Sequence, residues 1–316
     1  MNPSSIGRKL SSFGLLASVA AFAVSFFVPS AYGQIFITNY GGGVAEFDTI
    51  TGAPINTSFV SGLQQPFGLA RSDNDLYVSQ ITQGDAWVGK YDATTGLPIK
   101  APLIDSVGPV FLFNLAISGN NLYVATPSGV IQVNATTGAI INPLLVPGNA
   151  EGLAVSGNDL YVADGVHGVG EYNATTGAAI NFINTHSLST EGLAISGNNL
   201  YVACWTSGTV GEYNATTGET INASLITGLD NPRSVAVLGN MLYVPDYYTG
   251  TVGEYNATTG EAINTSFITG LGYGGVQSII AVSAVPEPST YAAIMGLASV
   301  GFVMFRRRLV GSKKAV

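Results

Sequence analysis

The octapeptide GEYNATTG occurs three times without a change, at 170–177, 211–218 and 253–260, and looser copies read EFDTITG at 46–52, KYDATTG at 90–96 and QVNATTG at 132–138. The closing glycines are Gly52, Gly96, Gly138, Gly177, Gly218 and Gly260, at spacings of 44, 42, 39, 41 and 42 residues. Six copies of a unit about forty residues long fill the middle of the chain, and such a repeat decides the fold before any local signal does.

One full copy, residues 191–229, reads EGLAIS, NNLYVACW, GTVGEYNATTG and INASLITGL. Each part is a short run rich in β-branched and aromatic residues, ended by Gly, Asn, Asp or Ser-Gly-Asn, so each reads as a strand closed by a turn. SGNN and SGND supply residues that tolerate positive φ in a tight hairpin. Four antiparallel strands per repeat of this length make a propeller blade, and the 40 glycines, which show no collagen period, fit a chain of many turns. The array opens with QIFITNY and GGVAEFDTITG, a second and a third strand with no first ahead of them, whereas VQSIIAV (276–282) is a first strand left over at the other end. Pairing the two closes a six-bladed ring over residues 34–284 and leaves no open edge to template aggregation. GLAVSGNDLYVAD followed by VGEYNATTG resembles NHL-type six-bladed propellers, including gluconolactonase-like and streptogramin-lyase-like proteins. That resemblance implies the fold; it is a poor guide to activity, because the architecture hosts binders, scaffolds and unrelated enzymes.

Seven of the eleven basic residues sit at the two ends, so residues 34–284 keep four bases against eighteen acids, a net of −14. A body so acidic repels nucleic acid. Cys204 is the single cysteine, which excludes an internal disulfide and reads as a buried, inert thiol in an apolar strand. The two histidines, His167 and His186, stand near no Gly-x-Ser-x-Gly elbow, and there is no phosphate-binding loop and no dinucleotide fingerprint.

The chemistry-bearing candidates lie where a propeller gathers its variable residues. Aligned on the GLA run, the positions that ring one channel mouth are Phe67, Phe113, Glu151, Glu191, Arg233 and Gln277. The two carboxylates suit a hard cation such as calcium, Arg233 suits an anion, and the two Phe suit an apolar wall, against the plainer reading of an ordinary polar rim. A second ring follows the LYV runs: Asn39, Gln80, Thr126, Asp164, Cys204 and Asp246, the two aspartates falling where NHL-like repeats use Asp to tie a loop. Gluconolactonase-like relatives hold a metal with carboxylate and amide oxygens at the mouth, and here Asn114, Glu151, Asp164 and Glu191 are the residues that would imitate it. Glu46, Glu171, Glu212 and Glu254, replaced by Lys90 and Gln132 in the other copies, read as a solvated acidic stripe near the perimeter. Asn134, Asn173, Asn214 and Asn256 head glycosylation sequons, as do Asn56, Asn222 and Asn264. In two copies, however, Asp48 or Asp92 takes the NAT position, which favours an Asx turn over a glycan.

The termini address the chain. Arg8 and Lys9 precede an apolar run from Leu10 to Val28, and Ala31 and Gly33 are small residues at −3 and −1 of a cut before Gln34, the form of a secretory signal (1–33), with a retained anchor as the alternative. After the propeller, VPEPST (Val285, Pro286, Glu287, Pro288, Ser289, Thr290) leads into a 15-residue apolar stretch, 291–305, and a basic stub, 306–316, that begins Arg306-Arg307-Arg308. As a helix that stretch rises about 22 Å, marginal for a transmembrane span, with the arginines on the cytoplasmic side. A plain C-terminal anchor is the bland reading. The order of the three parts resembles the PEP-CTERM sorting signal of Gram-negative bacteria, and the resemblance implies a membrane protease, exosortase, as partner, transient inner-membrane anchoring, and association with exopolysaccharide and biofilm. Together these readings give an exported surface or matrix propeller that binds or scaffolds rather than catalyses, with exopolysaccharide or another surface protein as the expected partner. The rival is an extracytoplasmic metal-dependent lactonase or lyase.

Overall fold

The computed structural model describes residues 33–82, 85–105, 111–166, 168–187, 189–272 and 274–283. These form six four-stranded antiparallel sheets, the blades of a propeller. Blade 1 combines Gln34–Asn39, Gly43–Asp48 and Pro54–Ser61 with Val276–Val282, which pairs as the innermost strand with Gln34 opposite Val282. Blades 2 to 6 follow in chain order, their innermost strands Pro66–Arg71, Leu115–Ser118, Gly152–Ser156, Thr190–Ser196 and Ala236–Leu238 packing side by side around the axis. The ring is therefore closed by the two ends of the array.

Within each blade, backbone hydrogen bonds satisfy the strands; what joins one blade to the next is the repeated side-chain code. The Tyr of each LYV run lies buried at the joint, and its hydroxyl donates to a turn carbonyl of the following blade. These bonds are Tyr77 to Ala135 (3.1 Å), Tyr123 to Ala174 (3.0 Å), Tyr161 to Ala215 (3.2 Å), Tyr201 to Ala257 (3.3 Å) and Tyr243 to Thr49 (3.0 Å). Blade 1 carries Phe36 at this place, buried against Phe59 with the Arg71 guanidinium 5.4 Å from its ring, and has no hydroxyl to donate. The accepting carbonyls belong to the NATTG turns. Asn134 Oδ1 accepts the amides of Thr136 and Thr137, and Asp48, Asp92, Asn173, Asn214 and Asn256 repeat the arrangement, so the Asx-turn reading holds at every copy. Gly177 ends such a turn at φ +72°, and a Cβ there would sit 1.9 Å from the Leu145 carbonyl of the preceding blade, which is why the turn closes on Gly.

The outer strands are exposed over most of their length. Asn56, Asn142, Asn222 and Asn264 each accept the amide two residues on, beside a register shift that bulges the strand and blunts the edge.

The expected acidic stripe is a correction. Glu46, Glu171, Glu212 and Glu254 are only 4–9% exposed, and Lys90 and Gln132 are equally buried. In the ladder each lies between the buried aromatic of the second strand and a fourth-strand residue, as Glu212 does between Tyr201 and Asn222. The sequence alternation assumed one wet face, but in a propeller the neighbouring blade covers both faces of a third strand. Burial raises all four carboxyls above their ordinary range, partly offset at Glu46 by Gln34 and at Glu254 by Tyr243.

Candidate functional site

The innermost strands converge at one end of the channel, and the glycine of the GLA run permits it. A Cβ on Gly152 would fall 1.7 Å from the Glu191 carbonyl, and one on Gly192 would fall 2.5 Å from the Ser234 Cα. With glycine there, the residue just before it is delivered to the mouth of the ring. The result is a cavity of about 120 Å³ lined by Phe67, Phe113, Glu151, Glu191, Arg233 and Gln277, with Asn114, Gly68 and Ser278 completing the wall. Below it, a channel segment of about 210 Å³, walled largely by Leu, Ala, Val and Ile of the inner strands, shares Asn114 and Ser278 with the mouth.

Two hydroxyls build the apolar half. Thr38 Oγ1 donates to the Phe67 carbonyl (2.9 Å) and accepts the Ser278 amide (2.9 Å), and Ser79 Oγ donates to the Phe113 carbonyl (3.0 Å) and accepts the Gly68 amide (2.8 Å). Each ties its own blade to the next blade's inner strand. Phe67 and Phe113 meet edge to face at 6.2 Å, and Phe111 stacks on Phe113 at 6.5 Å.

The polar half is built around Arg233. Its guanidinium lies 4.5 Å from the Tyr247 ring and 5.2 Å from the Trp205 ring, a cation held between two π faces. Its Nε stands 3.9 Å from Glu191 Oε2, an ion pair too long for a hydrogen bond, and is buried without a hydrogen-bond partner. Glu191 is itself largely shielded from water. Burial pushes its carboxyl up to about 7; Arg233 pulls the other way and Glu151 adds to the rise. Glu151 Oε1 accepts from Asn149 Nδ2 (3.0 Å), whose second bond goes to the Asp164 carbonyl (2.9 Å). Gln277 donates to the Gly274 carbonyl (3.1 Å) and keeps a buried, unpartnered Oε1. The site thus presents an aromatic wall facing a carboxylate pair, a guanidinium edge and an amide oxygen.

Of the residues singled out from sequence, Asn114, Glu151, Glu191, Arg233 and Gln277 meet at this cavity, whereas Asp164 and Asp246 are not among its walls. Both aspartates hold loops. Asp164 Oδ1 accepts the amides of Val166 and Gly168, and Asp246 Oδ1 accepts that of Asp230. The metal-site imitation therefore loses its third carboxylate. Asn114 Oδ1 is turned to its neighbour's amide (Leu115, 2.7 Å), and among the described residues no three His, Cys, Asp or Glu side chains gather as a metal-ligand group, so the residues present do not fit a calcium cage. Cys204 is buried and its thiol raised by burial, in keeping with an inert core residue. His186 is exposed, and His167 lies outside the described residues. Trp205 and Tyr247 escaped the sequence reading; the signal was their place, one residue beyond Cys204 and Asp246 of the second ring.

Gly33, at the expected signal cleavage, accepts the Thr49 amide, and Gln34 opens the first strand. Ala31, the motif Val285–Thr290, the apolar stretch 291–305 and Arg306–Arg308 lie outside the described residues.

Residues 284–308 match the PEP-CTERM protein-sorting motif, and residues 147–168 and 189–210 match the LVIVD repeat. No curated protein matches the chain. Among solved structures, the computationally designed Ika8 protein is similar at 18% identity and a TM-score of 0.51, over 79% of this chain and 78% of that one. A nidogen/laminin complex is similar at 14% identity and a TM-score of 0.64, over 80% of this chain and 99% of that one. At such identities the likeness is one of fold alone. The chain is a six-bladed β-propeller bearing a PEP-CTERM sorting motif, which implies export to the cell envelope of a Gram-negative bacterium and processing by exosortase.

Proposed function

We propose that the propeller, once exported, is a non-catalytic binding or scaffold protein of the cell surface or the extracellular matrix, associated with exopolysaccharide and binding through its channel mouth. The observation that carries this reading is where the repeat breaks. Turns, staples and core positions recur from blade to blade, while the six mouth positions carry Phe, Phe, Glu, Glu, Arg and Gln. A ring built only for shape has no use for that asymmetry. An aromatic wall opposite carboxylate, guanidinium and amide groups suits a polyhydroxylated ring, whose C–H face packs on Phe while its hydroxyls meet Glu191, Arg233 and Gln277. A glycan array probed with the exported protein tests it: retention of one class of glycan, lost in Glu191→Ala and Phe113→Ala, is the expected result. Retention indifferent to both changes sinks the mouth as the binding surface.

The rival, a lactonase or lyase, draws support from one feature, a buried Glu191 titrating near neutrality, as a general acid or base requires. Calorimetry with calcium or zinc separates the two. The binding reading expects no heat that depends on Glu151 and Glu191; a metal bound through both, removed by Glu151→Ala or Glu191→Ala, would turn the assignment to the enzyme.

A further inference from the structure

Two buried polar atoms in the wall of the mouth cavity have no hydrogen-bond partner among the described residues. The Arg233 Nε has a hydrogen to give, and the Oε1 of Gln277, a residue 7% exposed, has lone pairs to fill. A buried donor or acceptor left unpaired is costly. One of each, at a single cavity, points to a group from outside that accepts from the first and donates to the second.

The charge at Arg233 narrows what that group is. Between residues 34 and 284 the chain has four Lys or Arg, against a net charge of −14. Three of them belong to blade 2 and none of the three lines the cavity: Lys90 pairs with Asp75 at 2.8 Å, Lys100 donates to the Thr137 carbonyl, and Arg71 lies over Phe36. The fourth, Arg233, is placed at the mouth. Tyr247 and Trp205 take the faces of its guanidinium, so the N–H edge is what it offers. Glu191 only half neutralises it. The two stand 3.9 Å apart without a hydrogen bond, and a carboxyl that titrates at about 7 is protonated in about half the molecules at neutral pH.

We propose that the mouth selects a sugar acid: a ring whose carboxylate is received by the Arg233 edge, while a ring hydroxyl donates to Gln277 Oε1 and the C–H face packs on Phe67 and Phe113. This rests on the reading of the mouth as a glycan site and narrows it to one class of glycan. The cavity, about 120 Å³, is below the size of pockets that enclose a whole ligand, about 300 Å³ and upward. It therefore takes the carboxylate and the near edge of one ring and leaves the rest of the chain outside. The negative body opposes the approach of an anion, but that field is screened within about 8 Å at physiological salt, whereas a direct contact with Arg233 is a charge-assisted hydrogen bond.

NMR titration of the exported protein with methyl glycosides of the gluco and galacto series tests it, each series comprising the uronate, its methyl ester and the parent neutral sugar. In at least one series the uronate should bind about tenfold more tightly than ester or parent, the margin of a charge-assisted over a neutral hydrogen bond. Arg233→Gln should erase that margin while changing the neutral sugar by less than about threefold. Glu151→Gln, which removes a like charge from the wall, should strengthen the uronate alone. The unaltered protein gives a further readout. Glu191, faced by Arg233 from blade 6 and Glu151 from blade 4, gains charge between about pH 6 and about pH 8, so the uronate should weaken by up to about tenfold over that range and the ester should not. Uronate, ester and parent binding alike overturns the sugar acid and leaves the mouth as a glycan site. A uronate preference that survives Arg233→Gln also overturns it, as does a uronate affinity flat across that pH range, which needs no variant. No binding of any of these glycosides overturns this inference and the glycan reading together.

Discussion

If the blades are held in register by their tyrosine hydroxyls, Tyr123→Phe isolates one such bond. The change keeps the ring and removes a donor 3.0 Å from the Ala174 carbonyl, at a side chain 1% exposed, so no water replaces it without opening the joint. Losing a buried neutral bond and leaving its acceptor unsatisfied costs about 1–2 kcal/mol. For a domain of this size each kcal/mol lowers Tm by about 2–4 °C, which gives a fall of about 2–8 °C. The assay is thermal and urea denaturation of the exported protein, with Tyr40→Phe, an exposed position, as the control expected within about 0.5 kcal/mol of wild type. The urea midpoint should fall with an unchanged slope, the mark of a ring that still unfolds as one body. A Tyr123→Phe protein as stable as the control would refute the staple. A reduced slope would refute the idea that the joints make the ring cooperative.

Three further outcomes are expected. Replacing Pro286, Glu287 and Pro288 by Ala should leave the tail attached in a host that carries exosortase; intact mass decides, and mature protein of unchanged mass contradicts the sorting role. Residues 34–284 alone should be soluble and monodisperse, whereas ending the chain at Gly275 removes the closing strand and should give aggregates by light scattering; soluble monomer from both refutes the closure argument. The protein should lose stability as pH rises from about 4.5 to about 7, because Glu191 is held above its unfolded value and within that window the folded state keeps a proton that the unfolded chain has released. The effect is at most about 3 kcal/mol from this group, and the raised Glu46, Glu171, Glu212, Glu254 and Asp246 act in the same direction. A urea midpoint higher at pH 8 than at pH 5, or a pH dependence unaltered in Glu191→Gln, counts against it.

The ring, its blade count and its closure by Val276–Val282 were legible because a forty-residue period and a missing first strand are properties of order along the chain. The mouth residues were legible for the same reason: alignment on the GLA run names whatever precedes each inner strand. What escaped depends on the third dimension. The recurring Glu of the third strand reads as polar and therefore wet, until the adjacent blade is placed over it. Trp205 and Tyr247 sit in loops whose reach toward Arg233 no alignment gives.

The strand that closes the ring also sets which way the ring faces. Val276–Val282 runs away from the mouth, starting beside Gln277 in the cavity wall and finishing at Val282, the ladder partner of Gln34. The chain therefore enters and leaves the disc at neighbouring points on its back, and the sorting motif starts two residues past Val282. A molecule reaching the mouth therefore approaches the face of the ring opposite the paired ends Gln34 and Val282.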